Sequence, residues 1–156
     1  NSQNIKVNLL VHSMGHQVVL PALQEISQSE IKKTAINNLI LNAPDFAVND
    51  FRKIVKNLKK VSDKTTLYCS YNDKAMLASK TFNNNERLGA CAMFEDIDVI
   101  NVGAIDDPAL GLGHGYYSSR EILGDIKQTL FGIDAGNRLF VVKSEPNSQE
   151  GYLLRK

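Results

Sequence analysis

The chain has 156 residues, 43% of them hydrophobic, and its 18 Lys and Arg against 17 Asp and Glu leave a formal net charge of +1. That is enough apolar material for one compact domain with a core, and the charge balance gives no electrostatic footing for nucleic acid or an anionic membrane surface. No apolar run reaches the length of a membrane span, and a chain that starts at Asn1 shows no leader to read, so localisation stays open.

The first element is the most informative. Residues 5–11, IKVNLLV, form a nearly unbroken β-favouring run of the kind expected for a parallel strand buried on both faces. From Met14 the apolar residues recur at helical spacing (Met14, Val18, Val19, Ala22, Leu23), which puts Ser13 on the corner between a strand and a helix. Such a corner pushes a hydroxyl out above the sheet and aims the next backbone N–H at the oxygen where negative charge develops during acyl transfer. Gly15 meets the need for a small residue there, while Val11 stands where the G-x-S-x-G pattern has its first glycine. Because a buried-type strand opens the chain with nothing before it to pair with, the reading predicts that upstream strands of the same domain are missing.

The helix after Ser13 carries Pro21 in its interior and is expected to kink. NNLILNAPD reads as a second strand ended by Pro44, and AVNDFRKIVKNLKKV as a surface helix with Phe51, Ile54, Val55, Leu58 and Val61 on one face. Residues 65–70, TTLYCS, read as a third strand, followed by a helix that Asn72 or Asp73 can cap. Residues 96–105 read as a fourth strand. After a Gly-rich loop, SSREILGDIKQTLFG makes a helix with a capping box at Ser118 and Glu121, ended by Gly132. The boundaries predicted are a core over residues 1–132 and a C-terminal hairpin or tail over 133–156. Four alternations of strand and helix imply an α/β fold with a mainly parallel sheet covered on both faces. Cys69 and Cys91 lie in or beside apolar stretches and read as buried free thiols, and the sequence offers no metal site.

In parallel α/β sheets chemistry gathers at the carboxyl ends of the strands. Here those ends hold Ser13, Asp45, Asp73 and the loop with His114, in the order nucleophile, acid, histidine. His114 would take the proton from Ser13, and a carboxylate would fix the imidazole tautomer and stabilise the imidazolium. Asp73 after the third strand is the usual position for that acid, and Asp45 after the second is the alternative. Asp106 and Asp107 read as the start of a turn. His12 and His16 flank the serine too closely to serve as base and read as packing or supporting residues. GLGHG lacks the G-x-G-x-x-G spacing, so it does not read as a phosphate cradle and no cofactor is implied.

HSMG with its helix, LNAPDFAVNDF, LYCSYNDKAMLASKTF with RLG, and GHGYYSSREILGDI together resemble a bacterial family of α/β-hydrolases of uncharacterised function, over nearly the whole chain. The resemblance implies that Ser13, Asp73 and His114 carry a triad and that Met14 supplies an oxyanion-hole N–H. The chain departs from the pattern at Val11, and it has His16-Gln17 where the resemblance leads one to expect Asn-Arg. The expectation is therefore the C-terminal half of an α/β-hydrolase domain, incomplete without its upstream half, acting as a serine hydrolase on a small ester through an acyl-enzyme. The rival from another class is a non-catalytic module of the same fold used for binding or assembly.

Overall fold

A computed structural model describes residues 5–29, 35–105, 114–144 and 151–156. Strands β1 (Val7–His12), β2 (Ile36–Asn42), β3 (Ser62–Cys69), β4 (Asp98–Asn101), β5 (Val141–Lys143) and β6 (Tyr152–Leu154) form one sheet in the order β1-β2-β3-β4-β6-β5. β1 to β4 and β6 run parallel, and β5 pairs antiparallel with β6. The C-terminal residues thus fold as a hairpin that extends the sheet beyond β4. Helices α1 (His16–Gln28), α2 (Val48–Leu58), α3 (Lys74–Asn83) and α4 (Arg120–Leu130) complete the α/β architecture.

Side chains alternate across the central strands and thereby separate two cores. Leu39, Leu41, Leu67, Cys69 and Val99 face one way, against Leu20 and Leu23 of α1 and Phe51, Ile54, Val55 and Leu58 of α2. Ile40, Tyr68 and Ile100 face the other way, against Ile122 and Ile126 of α4. On that second side a buried polar network ties α4 to the sheet. The Tyr68 hydroxyl donates to Asp125 at 2.6 Å, Arg138 donates to the same oxygen at 2.9 Å, and Arg138 reaches Asp98 at 3.3 Å. Losing one member would leave a charge or hydroxyl buried without its partner, so the network fixes where α4 sits relative to β3 and β4.

Several boundaries differ from the sequence expectation. β3 begins at Ser62, because the polar run Ser62 to Lys64 is already in register with β2 through Ile36↔Ser62 and Asn38↔Lys64. β4 is shorter than residues 96–105: its pairing with β3 starts at Asp98, and after Asn101 the chain turns, with the Gly103 N–H on the Asn101 side chain and the Ile105 N–H on Val102. The cap of α4 is Ser119, whose hydroxyl accepts from the Ile122 N–H, while Ser118 donates back to the Gly115 carbonyl. Asp106 and Asp107 lie outside the described residues.

The reading of the cysteines as free thiols is overturned. Cys69 and Cys91 form a disulfide with their Cα atoms 5.1 Å apart. Cys69 ends β3, and Cys91 follows a short helical turn at Leu88–Ala90 that is hydrogen-bonded to the same region, Ser70 N–H to Gly89 O at 3.0 Å. Apolar surroundings favour burial of a thiol and a disulfide alike, so hydrophobicity alone could not distinguish the two.

Candidate active site

The carboxyl end of β1 makes the corner. Ser13 has φ +51°, a left-handed conformation that costs a non-glycine residue about 1–2 kcal/mol, so the surroundings must hold it. Ser13–Gly15 form one turn of 3-10 helix, and α1 starts at His16. Gly15 is in the right-handed helical region, and a Cβ placed there would lie 3.4 Å from Val11 Cγ1. The valine that replaces a glycine in the pattern therefore occupies the space beside Gly15 without a clash.

The Ser13 carbonyl anchors the corner. It takes the His16 backbone N–H, the His16 Nδ1–H at 2.7 Å and the Asp45 N–H at 3.3 Å. The Gln17 amide in turn donates to the Asp45 carbonyl, which ties α1 to the linker after β2. His16 is fully buried, and among the described residues its Nε2 has no hydrogen-bond partner. Burial pushes its pKa down to about 4, only partly offset by the bond to the Ser13 carbonyl, so the ring is neutral and Nδ1 is the protonated nitrogen.

This gives a pH prediction whose sign follows from linkage. The unfolded chain protonates His16 near pH 6.5 and the folded chain only near 4, so between those values the unfolded state binds more protons and stability falls as pH falls. The loss from His16 amounts to roughly 3 kcal/mol across that window. His12 adds to it, because burial first and the neighbouring His114 second also lower its pKa. Urea unfolding midpoints at pH 7 and pH 4.5 should therefore differ, and the gap should narrow in His16→Asn; equal midpoints would mean that the buried ring accepts a proton at no cost.

The loop after β3 leads to Asp73. Asp73 is fully buried at the start of α3, where its Oδ1 accepts the Met76 N–H at 3.0 Å and caps the helix. Its Oδ2 accepts His114 Nδ1–H at 2.7 Å. The far nitrogen of the same ring, His114 Nε2, is 2.8 Å from Ser13 Oγ. With Nδ1 protonated toward a carboxylate, Nε2 carries a lone pair, and the serine hydroxyl is the donor in that contact. Ser13, His114 and Asp73, which stand 101 and 41 residues apart along the chain, thus form one continuous relay.

Asp45, the alternative acid, faces elsewhere. Its Oδ1 accepts from Ser79 Oγ at 2.7 Å and lies 3.2 Å from Arg87 Nε. It braces the β2 linker against α3 and the turn before Cys91. His12 packs its ring on Tyr117, with centroids 4.1 Å apart, and on His114 at 5.2 Å. Sequence reasoning gave His12 a packing role but assigned none to Tyr117 or Arg87, although both stand in segments that carry the family resemblance, GHGYY and RLG.

A cavity of about 430 Å³ opens beside the corner, lined by Met14, Gln17, Asp45, Phe46, Phe82 and Arg87 among others. A larger one of about 540 Å³ lies at the amino ends of β3 and β4, around Ser62, Asp63 and Asp98, away from the relay. Among the described residues no group of His, Cys, Asp and Glu is arranged to hold a metal ion, and no helix is long and apolar enough to cross a membrane. A serine hydroxyl on an imidazole whose other nitrogen is held by a carboxylate can lose its proton as it attacks an electrophilic carbon.

A family model described as an alpha/beta hydrolase of unknown function (DUF900) matches residues 1–132. No curated protein and no solved structure matches the chain.

Proposed function

The chain belongs to this α/β-hydrolase family, and from that premise we propose that it is a serine hydrolase that cleaves carboxylic esters through an acyl-enzyme on Ser13. The observation that carries the reading is the relay from Ser13 Oγ through His114 to the buried carboxylate of Asp73. Ser13 attacks the ester carbonyl while His114 Nε2 takes its proton, and Asp73 holds the imidazolium that results. The carbonyl oxygen becomes an oxyanion facing the Met14 N–H. Collapse expels the alcohol, which receives the proton from His114. A water molecule then repeats the sequence on the acyl-enzyme and releases the acid. The test is labelling by a fluorophosphonate followed by peptide mapping. A single adduct on Ser13 is expected, and no adduct, or one on another residue, would sink the proposal.

Substrate size follows from the linker between β2 and α2. Residues 43–47 are short and almost wholly buried, which leaves no room for a lid at that point. With an open corner beside a cavity of about 430 Å³, the enzyme should hydrolyse soluble short-chain esters without interfacial activation. A sharp rise in rate as the substrate passes its micellar threshold would contradict this.

Among the described residues β1 has a neighbouring strand on one side, β2, and Val7 and Leu10 on it are 52% and 48% exposed. An apolar edge of this kind invites a further strand. In the proposed reading an upstream segment of the same domain pairs there and supplies a second oxyanion N–H beside that of Met14. One such donor is worth about 10²–10³ in kcat. A chain extended upstream should therefore hydrolyse esters faster than residues 1–156 by that order, and equal rates would remove the need for the segment.

A further inference from the structure

The buried His16 has no part in the relay, yet three donors including its ring converge on one carbonyl. We propose that His16 is a positioning residue: its Nδ1–H, held 2.7 Å from the Ser13 carbonyl oxygen, fixes the plane of the Ser13–Met14 peptide and so aims the Met14 N–H at the oxyanion. The inference rests on the hydrolase reading and names a device within it.

A peptide unit is planar and trans, so the Ser13 C=O and the Met14 N–H belong to one rigid plate and point in opposite directions. Whatever anchors the oxygen sets the direction of the hydrogen. Ser13 keeps its left-handed φ whichever way the plate faces, because the plate turns about the line between the Ser13 and Met14 Cα atoms, through the Ser13 ψ and the Met14 φ. The donors oppose that rotation. The Asp45 N–H reaches the oxygen only at 3.3 Å, and the His16 backbone N–H is shared with the Met14 carbonyl. The ring N–H is the short, undivided bond.

The rest of the ring fits a donor role. Its Nε2 is buried with no hydrogen-bond partner among the described residues, and the polar contact the imidazole makes there is with the peptide plate. Below it the linker is held independently, with Gln17 on the Asp45 carbonyl and Ser79 on the Asp45 carboxylate, so the frame that carries the Asp45 N–H does not depend on His16. Removing the ring N–H therefore loosens the plate while leaving the surroundings in place.

The experiment compares the second-order rate of fluorophosphonate labelling at Ser13 in the full-length wild type, His16→Asn and His16→Phe, with kcat and KM for p-nitrophenyl acetate. Asparagine keeps an N–H near the Nδ1 position, and phenylalanine fills the space with no donor. His16→Phe should label about 10²–10³ times more slowly and lose the same factor in kcat at little changed KM, the size of an oxyanion donor lost. His16→Asn should stay within about tenfold of wild type. Equal labelling rates in wild type and His16→Phe would overturn the inference, as would Asn and Phe variants that are equally slow. Nitrogen-15 NMR of the wild type needs no variant at all: Nδ1 should be protonated and Nε2 bare, and the opposite tautomer would end the proposal. Absence of any label on wild-type Ser13 would instead overturn the hydrolase reading itself.

Discussion

Ser13→Ala is expected to abolish fluorophosphonate labelling and to lower ester turnover by about 10⁶-fold, because in the proposed mechanism nucleophile, base and acid act as one unit and removal of the nucleophile disables the whole. Ser13 Oγ meets His114 Nε2 at 2.8 Å, and the strained corner holds it there. The fold should be unaffected: the contacts that fix the corner run through the Ser13 carbonyl, which alanine retains. A mutant that still labels, or still turns over within about a hundredfold of wild type, would move the nucleophile elsewhere.

The second large effect separates the two acids. Asp73→Asn should lower kcat by about 10⁴-fold with the fold intact. The carboxylate does two jobs through two oxygens, capping α3 with Oδ1 and accepting His114 Nδ1–H with Oδ2. Asparagine can keep the cap with its carbonyl oxygen, and its amide then faces Nδ1 as a donor. That favours the tautomer with the proton on Nε2, where it cannot accept from Ser13. Asp45→Asn should cost little in kcat, since Asp45 meets Ser79 and Arg87 rather than His114. Its expected effect is on stability, through loss of charge beside a buried arginine. Turnover measured in both variants decides the matter, and a reversed ranking would transfer the acid to the end of β2.

How much was legible in the sequence depends on how local the signal was. The strand and helix alternation could be read because each element buries a face and repeats with its own period. Ser13, Asp73 and His114 could be named because each follows a strand, and in a parallel sheet those ends converge. Contacts that join distant segments away from those strand ends could not be read. The disulfide required β3 and the turn at Leu88–Ala90 to come together, and two apolar contexts do not announce that meeting. The early start of β3 was hidden because Ser62 to Lys64 pair through their backbone, to which a polar side chain contributes no signal. His16 was read as a packing or supporting residue beside the serine and as a departure from the family pattern, without a partner. Its bond to the Ser13 carbonyl depends on the backbone turning back on itself, which spacing alone does not encode.

The parallel order of β1 to β4 has a kinetic consequence. No parallel pair can close through a tight hairpin: Leu9 pairs with Leu39, and Thr66 with Asp98. Contacts so far apart in sequence form late and slowly, because the entropy of closing the loop is lost before the pairing repays it. Ser13 and His114 are separated by more of the chain than any of these strand pairs, so they can meet only after the strands between them have assembled. A probe that reacts only with the assembled site would therefore count finished molecules, and during refolding its signal would rise after the far-ultraviolet circular dichroism that reports helices alone.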